Sequence, residues 1–351
     1  VEKIKAVNYG PGIKVTWGAV GGATGYVVYR KTATSGWSRI GVIEGGTCSY
    51  VDSTPKNDTQ YYYIVRATNK TAMSANPATN AGIHHLQSPK LVSMKTTFNG
   101  VAVTWGAVKT AECYKVYRKT GDGAWKLLST VDGTTYEDTK VVGGTTYRYT
   151  VRAVSKSETS SYYDDNETFT YLLPVKNITS ANVASGVKVS WEAVSGATGY
   201  NVYRKLNTST AKWSKVCSVE GGNTLSATDT SAVSGKNYYY LVKAVNGSAM
   251  SANPSKYPLI YYIAAPVLVS AKNTSDGVNF TYESVAGAKG YYIYRKTDGG
   301  SWRMIAEVSG KTTVSYIDRN TVSGKKYTYT AKAFNGDNVS SFKAGKSCTA
   351  R

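Results

Sequence analysis

Hydrolysis by paired carboxylates is the first chemistry to seek, and the chain offers one acidic group, Asp164-Asp165-Glu167. General acid–base cleavage needs two carboxyls about 5–10 Å apart across a cleft. Adjacent residues on a strand or loop point away from each other, so this group is expected to be a solvated turn, with a loosely held cation as the lesser reading. No Asp-x-Asp-x-Asp-Gly loop accompanies it, which removes the strong signal for calcium. The only two histidines, His84 and His85, stand side by side. A nucleophile–histidine pair must meet across a pocket, whereas these fall near a boundary and suggest an exposed linker. Gly121-Asp122-Gly123 and Asp298-Gly299-Gly300 have the composition of hairpin turns and lack the spacing of a phosphate cradle. No catalytic residue, metal site or cofactor is therefore expected.

The elements around these residues repeat. Tyr29-Arg30-Lys31, Tyr117-Arg118-Lys119, Tyr203-Arg204-Lys205 and Tyr294-Arg295-Lys296 lie 88, 86 and 91 residues apart, and each precedes a tryptophan, Trp37, Trp125, Trp213 or Trp302. A period near 90 fits one small folding unit per copy, giving domains at 1–87, 88–172, 173–263 and 264–351. Each copy opens with an alternating segment that puts three large side chains on one strand face: Ile13, Val15, Trp17; Val101, Val103, Trp105; Val187, Val189, Trp191; Val278, Phe280, Tyr282. The Tyr-Arg-Lys strand follows, then a strand expected to bear the second Trp. An acidic turn at Asp52, Asp138, Asp229 or Asp318 comes next, and then a strand opening Tyr61-x-Tyr63, Tyr147-x-Tyr149, Tyr238-x-Tyr240 or Tyr327-x-Tyr329. Short strands between Gly, Asp and Ser turns, with no helical period, predict an all-β chain of four two-sheet antiparallel sandwiches.

This pattern, strand-Trp, Tyr-x-Val-Tyr-Arg and Tyr-x-Tyr-x-Val-x-Ala, resembles the immunoglobulin-like fibronectin type III domain, in four copies across the whole chain. The resemblance implies that Tyr61, Tyr147, Tyr238 and Tyr327 are structural, as tyrosine corners whose hydroxyls bond the preceding loop. Trp17, Trp105, Trp191 and Tyr282 would then be core. The style of the repeats is similar to that of secreted or surface proteins of Gram-positive gut bacteria. Two departures stand out. Copy four has Tyr282 where Trp is expected, a change that should be tolerated. Copy one has Lys56 where the others have Val142, Val233 and Val322, which should mark a locally different loop. Asn335-Gly336-Asp337 sits where some family members present an integrin-binding tripeptide, but its leading residue is Asn in place of Arg, so a simple turn is expected.

Copies one and three share Gly-Ala-Thr-Gly-Tyr (22–26 and 196–200) and Ala-Met-Ser-Ala-Asn-Pro (72–77 and 249–254), as duplication of a two-domain unit would produce. The junctions, near 84–87, 171–174 and 261–266, are short and partly apolar with proline at or just beyond them, which limits their angles. An extended semi-rigid rod on the order of 120–150 Å is expected from about 3.3 Å per strand residue.

Lys and Arg number 42 against 22 Asp and Glu, a net charge of +20 without a basic block. That balance favours solubility and a weak affinity for acidic surfaces such as cell-wall polymers over a specific nucleic-acid groove. Cys48, Cys113, Cys217 and Cys348 fall one to a copy at non-equivalent places, so free thiols are expected. No stretch is apolar for long enough to form a transmembrane helix, and no leader pattern opens the chain, so a mature region or fragment of a larger secreted or surface bacterial protein is expected, as a monomer. In a sandwich of this family the Tyr-Arg-Lys strand and the later tyrosine strand are sheet neighbours. Tyr29 and Lys31 would then lie beside Arg66, Tyr117 by Arg152, Tyr203 by Lys243 and Tyr294 by Lys332 on an outward stripe. Aromatic faces flanked by cations suit glycans, anionic polymers or a protein partner. They equally suit mutual packing within the sheet. The function expected is a non-catalytic spacer or adhesion stalk; the alternative is an ancillary carbohydrate- or cell-wall-binding region of a multimodular carbohydrate-active enzyme. An intracellular chain or a eukaryotic receptor ectodomain is a third, weaker reading.

Overall fold

In the computed structural model all residues are described except 70, 156, 157, 164–166 and 313. Asp164 and Asp165 of the acidic group therefore lie outside the described residues. Copy one consists of β1 (Lys5–Tyr9), β2 (Gly12–Thr16), β3 (Gly25–Thr32), β4 (Ser38–Glu44), β5 (Ser49–Asp52), β6 (Thr59–Thr68) and β7 (Ala81–His85). These form two antiparallel sheets of order β1-β2-β5 and β4-β3-β6-β7. Each later copy repeats the order, with the strand corresponding to β7 split into two short pieces that both pair with the long tyrosine strand. The chain divides into two compact units, Val1–Tyr171 and Leu172–Arg351, each holding two sandwiches.

The period-2 pattern explains the core. Ile13, Val15 and Trp17 from one sheet meet Tyr26, Val28, Tyr61, Tyr63, Val65 and Ala67 from the other in one buried cluster. Each fully buried large side chain contributes roughly 1.5–3 kcal/mol, so these rings dominate the stability of each sandwich. Trp17 packs on Tyr26 at 5.4 Å between ring centroids, Trp105 on Tyr114 at 5.6 Å and Trp191 on Tyr200 at 5.3 Å. Tyr282 fills the same place in copy four, 4.8 Å from Tyr291 and 5.5 Å from Phe280, which accounts for the exchange. The indole N–H of Trp17, Trp105 and Trp191 and the hydroxyl of Tyr282 are buried without a hydrogen-bond partner, so these positions contribute by ring area alone.

Two glycine sets shape the backbone. A Cβ on Gly12, Gly100, Gly186 or Gly277 would fall 2.0–2.2 Å from the carbonyl oxygen of Asp52, Asp138, Asp229 or Asp318, so only glycine admits the passage of one strand by the next. The second set is the left-handed turn before the tyrosine strand, at Gly144, Gly235 and Gly324, with φ of 79–83°. In copy one Asp58 takes that conformation at φ 59°. The N–H of Lys56 donates to Tyr61 Oη at 2.8 Å, just as those of Val142, Val233 and Val322 donate to Tyr147, Tyr238 and Tyr327 at 2.9–3.1 Å. The expectation of a locally different loop at Lys56 is thus corrected. The corner uses the backbone N–H, which the side chain does not alter.

Two other expectations are corrected. His84 and His85 are not an exposed linker pair: β7 runs through them, and its alternation buries Ala81, Ile83 and His85. His85 Nδ1 lies 2.9 Å from Asn8 Oδ1 and His84 Nε2 lies 3.0 Å from Asp58 Oδ1. The second tryptophans do not sit in the third strand but immediately before it, at the end of the hairpin loop. There each ring is covered by the lysine of the repeated tripeptide instead of joining the ladder.

Within the first unit, Ser161 Oγ donates to Gly10 O at 2.9 Å and Ser88 Oγ donates to Ser161 O at 2.8 Å, linking copies one and two. Within the second, Ser234 Oγ donates to Ala286 O at 2.8 Å and Tyr261 Oη to Gly287 O at 3.0 Å. Gly235 and Gly287 meet so closely that a Cβ on Gly287 would stand 2.4 Å from Gly235 Cα. Asn335 Nδ2 donates to Gly287 O at 2.8 Å and to Tyr261 Oη at 3.1 Å, so the Asn-Gly-Asp turn opens with a residue committed to this contact.

Candidate functional site

The outward stripe is held in place by a lock beneath it. In Tyr-Arg-Lys the middle residue turns the other way from its neighbours, and Arg30 Nη1 reaches Asp52 Oδ2 at 2.7 Å. The same oxygen accepts from Tyr63 Oη at 2.7 Å, while Asp52 Oδ1 accepts from the Thr54 N–H at 3.0 Å. The arrangement recurs as Arg118–Asp138–Tyr149, Arg204–Asp229–Tyr240 and Arg295–Asp318–Tyr329, with Arg–Asp distances of 2.6–2.7 Å and Tyr–Asp distances of 2.8–2.9 Å. Each guanidinium also lies 4.8–4.9 Å above the corner tyrosine ring. Burial pushes the Asp52 and Asp229 carboxyls up, but the tyrosine, threonine or serine, and arginine donors outweigh it and hold both below the ordinary carboxylate value. Burial and the adjacent carboxylate raise the phenols of Tyr63, Tyr149, Tyr240 and Tyr329, keeping them neutral donors.

Above the lock, Lys31 Nζ sits 5.1 Å from the Trp37 ring and 5.5 Å from Tyr62, further along the face than Arg66. Lys119, Lys205 and Lys296 cover Trp125, Trp213 and Trp302 in the same way, at 4.7–5.1 Å. The second tryptophan is therefore anchored by the lysine of the repeated tripeptide. Tyr29, Tyr117, Tyr203 and Tyr294 pair across the sheet with Ile64, Thr150, Leu241 and Thr330. Arg66, Arg152, Lys243 and Lys332 stand two residues further on the same face, so each comes diagonally beside its tyrosine.

Two residues missed from sequence complete the stripe, both on the segment after the long tyrosine strand. In copies two and four, Tyr162 and Phe342 fold onto it: Tyr162 lies 5.2 Å from Tyr117 and stacks 6.1 Å from Trp125, and Phe342 lies 5.8 Å from Trp302. Arg152 covers Tyr162 at 4.6 Å, and Lys332 sits 5.0 Å from Phe342 and 5.6 Å from Tyr294. Buried hydroxyls fasten these segments, since Thr150 Oγ1 donates to Tyr163 O at 2.5 Å and Thr330 Oγ1 to Lys343 O at 3.0 Å. Copies one and three have Asn76 and Asn253 in place of the aromatic, and Ile64 and Leu241 in place of the threonine. The signal in the sequence was a fixed offset: each of these residues follows by two the serine whose hydroxyl accepts from the buried Ala67, Ala153, Ala244 or Ala333 N–H.

The strand order, the tyrosine corner and their fourfold recurrence decide the architecture. These are tandem sandwiches with the fibronectin type III fold. No family model matches the chain. Among curated proteins it is 28% identical over 305 residues to Exoglucanase B of Cellulomonas fimi, covering 76% of this chain and 25% of that protein. It is 23% identical over 300 residues to Amylopullulanase of Thermoanaerobacterium saccharolyticum, covering 70% of this chain and 23% of that protein. The chain thus spans about a quarter of the length of the curated relatives it matches. Solved structures that align with it include the FN1–FN3 domains of chicken CNTN1, at 17% identity and a TM-score of 0.29, covering 74% of this chain and 96% of that one. A two-domain fibronectin type III segment of chicken tenascin aligns at 19% identity and a TM-score of 0.26, covering 46% and 95%. The fold is fixed by the strand order and not by these scores.

The rest of the fibronectin type III surface offers little chemistry. Among the described residues no three His, Cys, Asp or Glu side chains gather closely enough to hold a metal ion. All four cysteines are free thiols of intermediate burial. No helix among the described residues is long and apolar enough to cross a membrane.

Proposed function

We propose that this chain is a non-catalytic accessory region of a larger secreted bacterial protein that acts on polysaccharide, and that its four sandwiches act as spacers between working modules. The observation that carries the reading is the repeated Arg–Asp–Tyr lock, which spends the recurring ionisable groups on holding strands together. Groups committed to buried ion pairs and phenolic hydrogen bonds have no free valence for turnover. The likeness of most of the chain to about a quarter of two long carbohydrate-active enzymes supports an accessory place. We assign the domains to residues 1–87, 88–172, 173–263 and 264–351, each folding around its own lock.

The test joins the chain to a glucanase catalytic module and compares the fusion with the module alone. Equal rates on soluble substrate, with a gain on insoluble substrate that survives replacement of the four sandwiches by unrelated sandwiches of similar size, are expected. Hydrolysis of β- or α-glucan by the isolated 351-residue chain would overturn the reading.

A further inference from the structure

In copy three Asn253 stands in the place of the aromatic plug, and a cleft opens in the outward stripe. Tyr203, Trp213, Leu241, Lys243 and Asn253 line a cleft of about 180 Å³. Leu241 is buried beneath it, and Trp213 is fixed by Lys205 at 5.1 Å and Tyr257 at 5.2 Å. In copies two and four, Tyr162 and Phe342 occupy the corresponding place. Asn253 removes that ring, and Leu241 removes the threonine hydroxyl that fastens the segment over it.

The cation at the cleft also differs from its counterparts. Arg66 and Arg152 donate through Nε to Ser74 O at 2.6 Å and Ser160 O at 2.5 Å, and Lys332 lies over two rings. Lys243 has no hydrogen-bond, ion-pair or ring partner among the described residues, yet it is half-buried, and burial lowers its pKa. A partly desolvated ammonium without a partner is an unfavourable arrangement that an arriving anion relieves. The walls specify the rest of the ligand. Two aromatic side chains suit the C–H faces of a pyranose ring, and the Asn253 amide at the exposed mouth can both donate to and accept from hydroxyls.

We propose that this cleft binds one carboxylated pyranose, a uronic acid residue of an acidic polysaccharide, with Lys243 facing the carboxylate and Tyr203 and Trp213 flanking the ring. In copy one the corresponding cation, Arg66, is already tied to Ser74 O, so the site is assigned to copy three alone. The net charge of +20 favours approach of such a polyanion. The site adds recognition to a spacing role, and its failure would leave that role intact.

The experiment titrates the full chain with trigalacturonate and, separately, with cellotriose, reading calorimetry and tryptophan fluorescence. Asn253→Tyr restores the plug of copy two and should weaken trigalacturonate binding by about tenfold or more, equivalent to about 1.4 kcal/mol. Lys243→Met should weaken trigalacturonate by a similar factor and leave any cellotriose binding unchanged. Asn76→Tyr in copy one should have no effect, and unchanged melting of each variant guards against misfolding. No saturable trigalacturonate binding, equal binding of cellotriose, or wild-type affinity in both Asn253→Tyr and Lys243→Met would overturn the proposal. Should Asn253→Tyr fail to fold, Lys243→Met decides alone, since that side chain lies on the outer face of the sheet.

Discussion

Asp229→Asn is the sharpest probe of how these sandwiches are held. The carboxylate is 2% exposed and accepts from Arg204 at 2.6 Å, from Tyr240 at 2.8 Å, and from the Ser231 N–H and hydroxyl at 2.9 and 2.7 Å. Asparagine keeps one acceptor for Ser231 but turns an N–H₂ toward two donors and leaves the guanidinium without its counter-ion. Removing one partner of a buried pair costs about 3–5 kcal/mol. The Arg204 side chain is 21% exposed and can recover some hydration, so we take about 3 kcal/mol. In a unit of this size that lowers the melting temperature by roughly 12–24 °C. Differential scanning calorimetry of the full chain should show a component of about a quarter of the unfolding enthalpy moving down, with the rest in place, if each copy melts as its own cooperative unit. A shift under about 4 °C would refute the lock as a major stabilising element. A uniform shift of the whole endotherm would refute the four-domain assignment.

Three further outcomes follow from the same geometry. The Asp52 and Asp229 carboxyls have folded pKa values below their unfolded ones, so their stabilisation is present above about pH 4 and is lost as pH falls through the folded values. Melting measured from pH 7 down to pH 2 should fall mainly below pH 4, and a flat profile there would contradict the assignment. Gly186→Ala sets a Cβ 2.0 Å from Asp229 O at a φ of 151° and should destabilise copy three by about 3 kcal/mol or more, read as a lowered urea midpoint. Tyr147→Phe removes the acceptor for the Val142 N–H and should cost about 1–2 kcal/mol, whereas Lys56→Val should stay within about 0.5 kcal/mol because its corner uses only the backbone.

Alternation and recurrence carried the fold. Val101-x-Val103-x-Trp105 can bury its large side chains only as a strand, and four copies in register leave one architecture. The stripe was legible as far as strand neighbours go, because the Tyr-Arg-Lys strand and the later tyrosine strand must pair in such a sheet. Its completion was not, since Tyr162 and Phe342 arrive from a segment whose path depends on the hydroxyl of a threonine in the preceding strand, 13 residues before the carbonyl it holds. The Asp–Arg lock escaped notice for a related reason: an Asp between a strand and a turn has the composition of a solvated residue, and only the sheet-to-sheet distance reveals the buried partner. His85 misled in the opposite sense. Polar residues near a boundary suggest exposure, but β7 continues through it and Asn8 supplies a partner for the ring.

The meeting of Gly235 with Gly287 has an evolutionary corollary. With no side chain on either side, copies three and four fit as a matched set, and shuffling one without the other would break the fit. The residue of copy two aligned with Gly287 is Thr110, so copy two transplanted behind copy three would drive a branched side chain into Gly235. Recombination in such genes should therefore favour cassettes that carry both copies together, and the order of the repeats is itself inherited information.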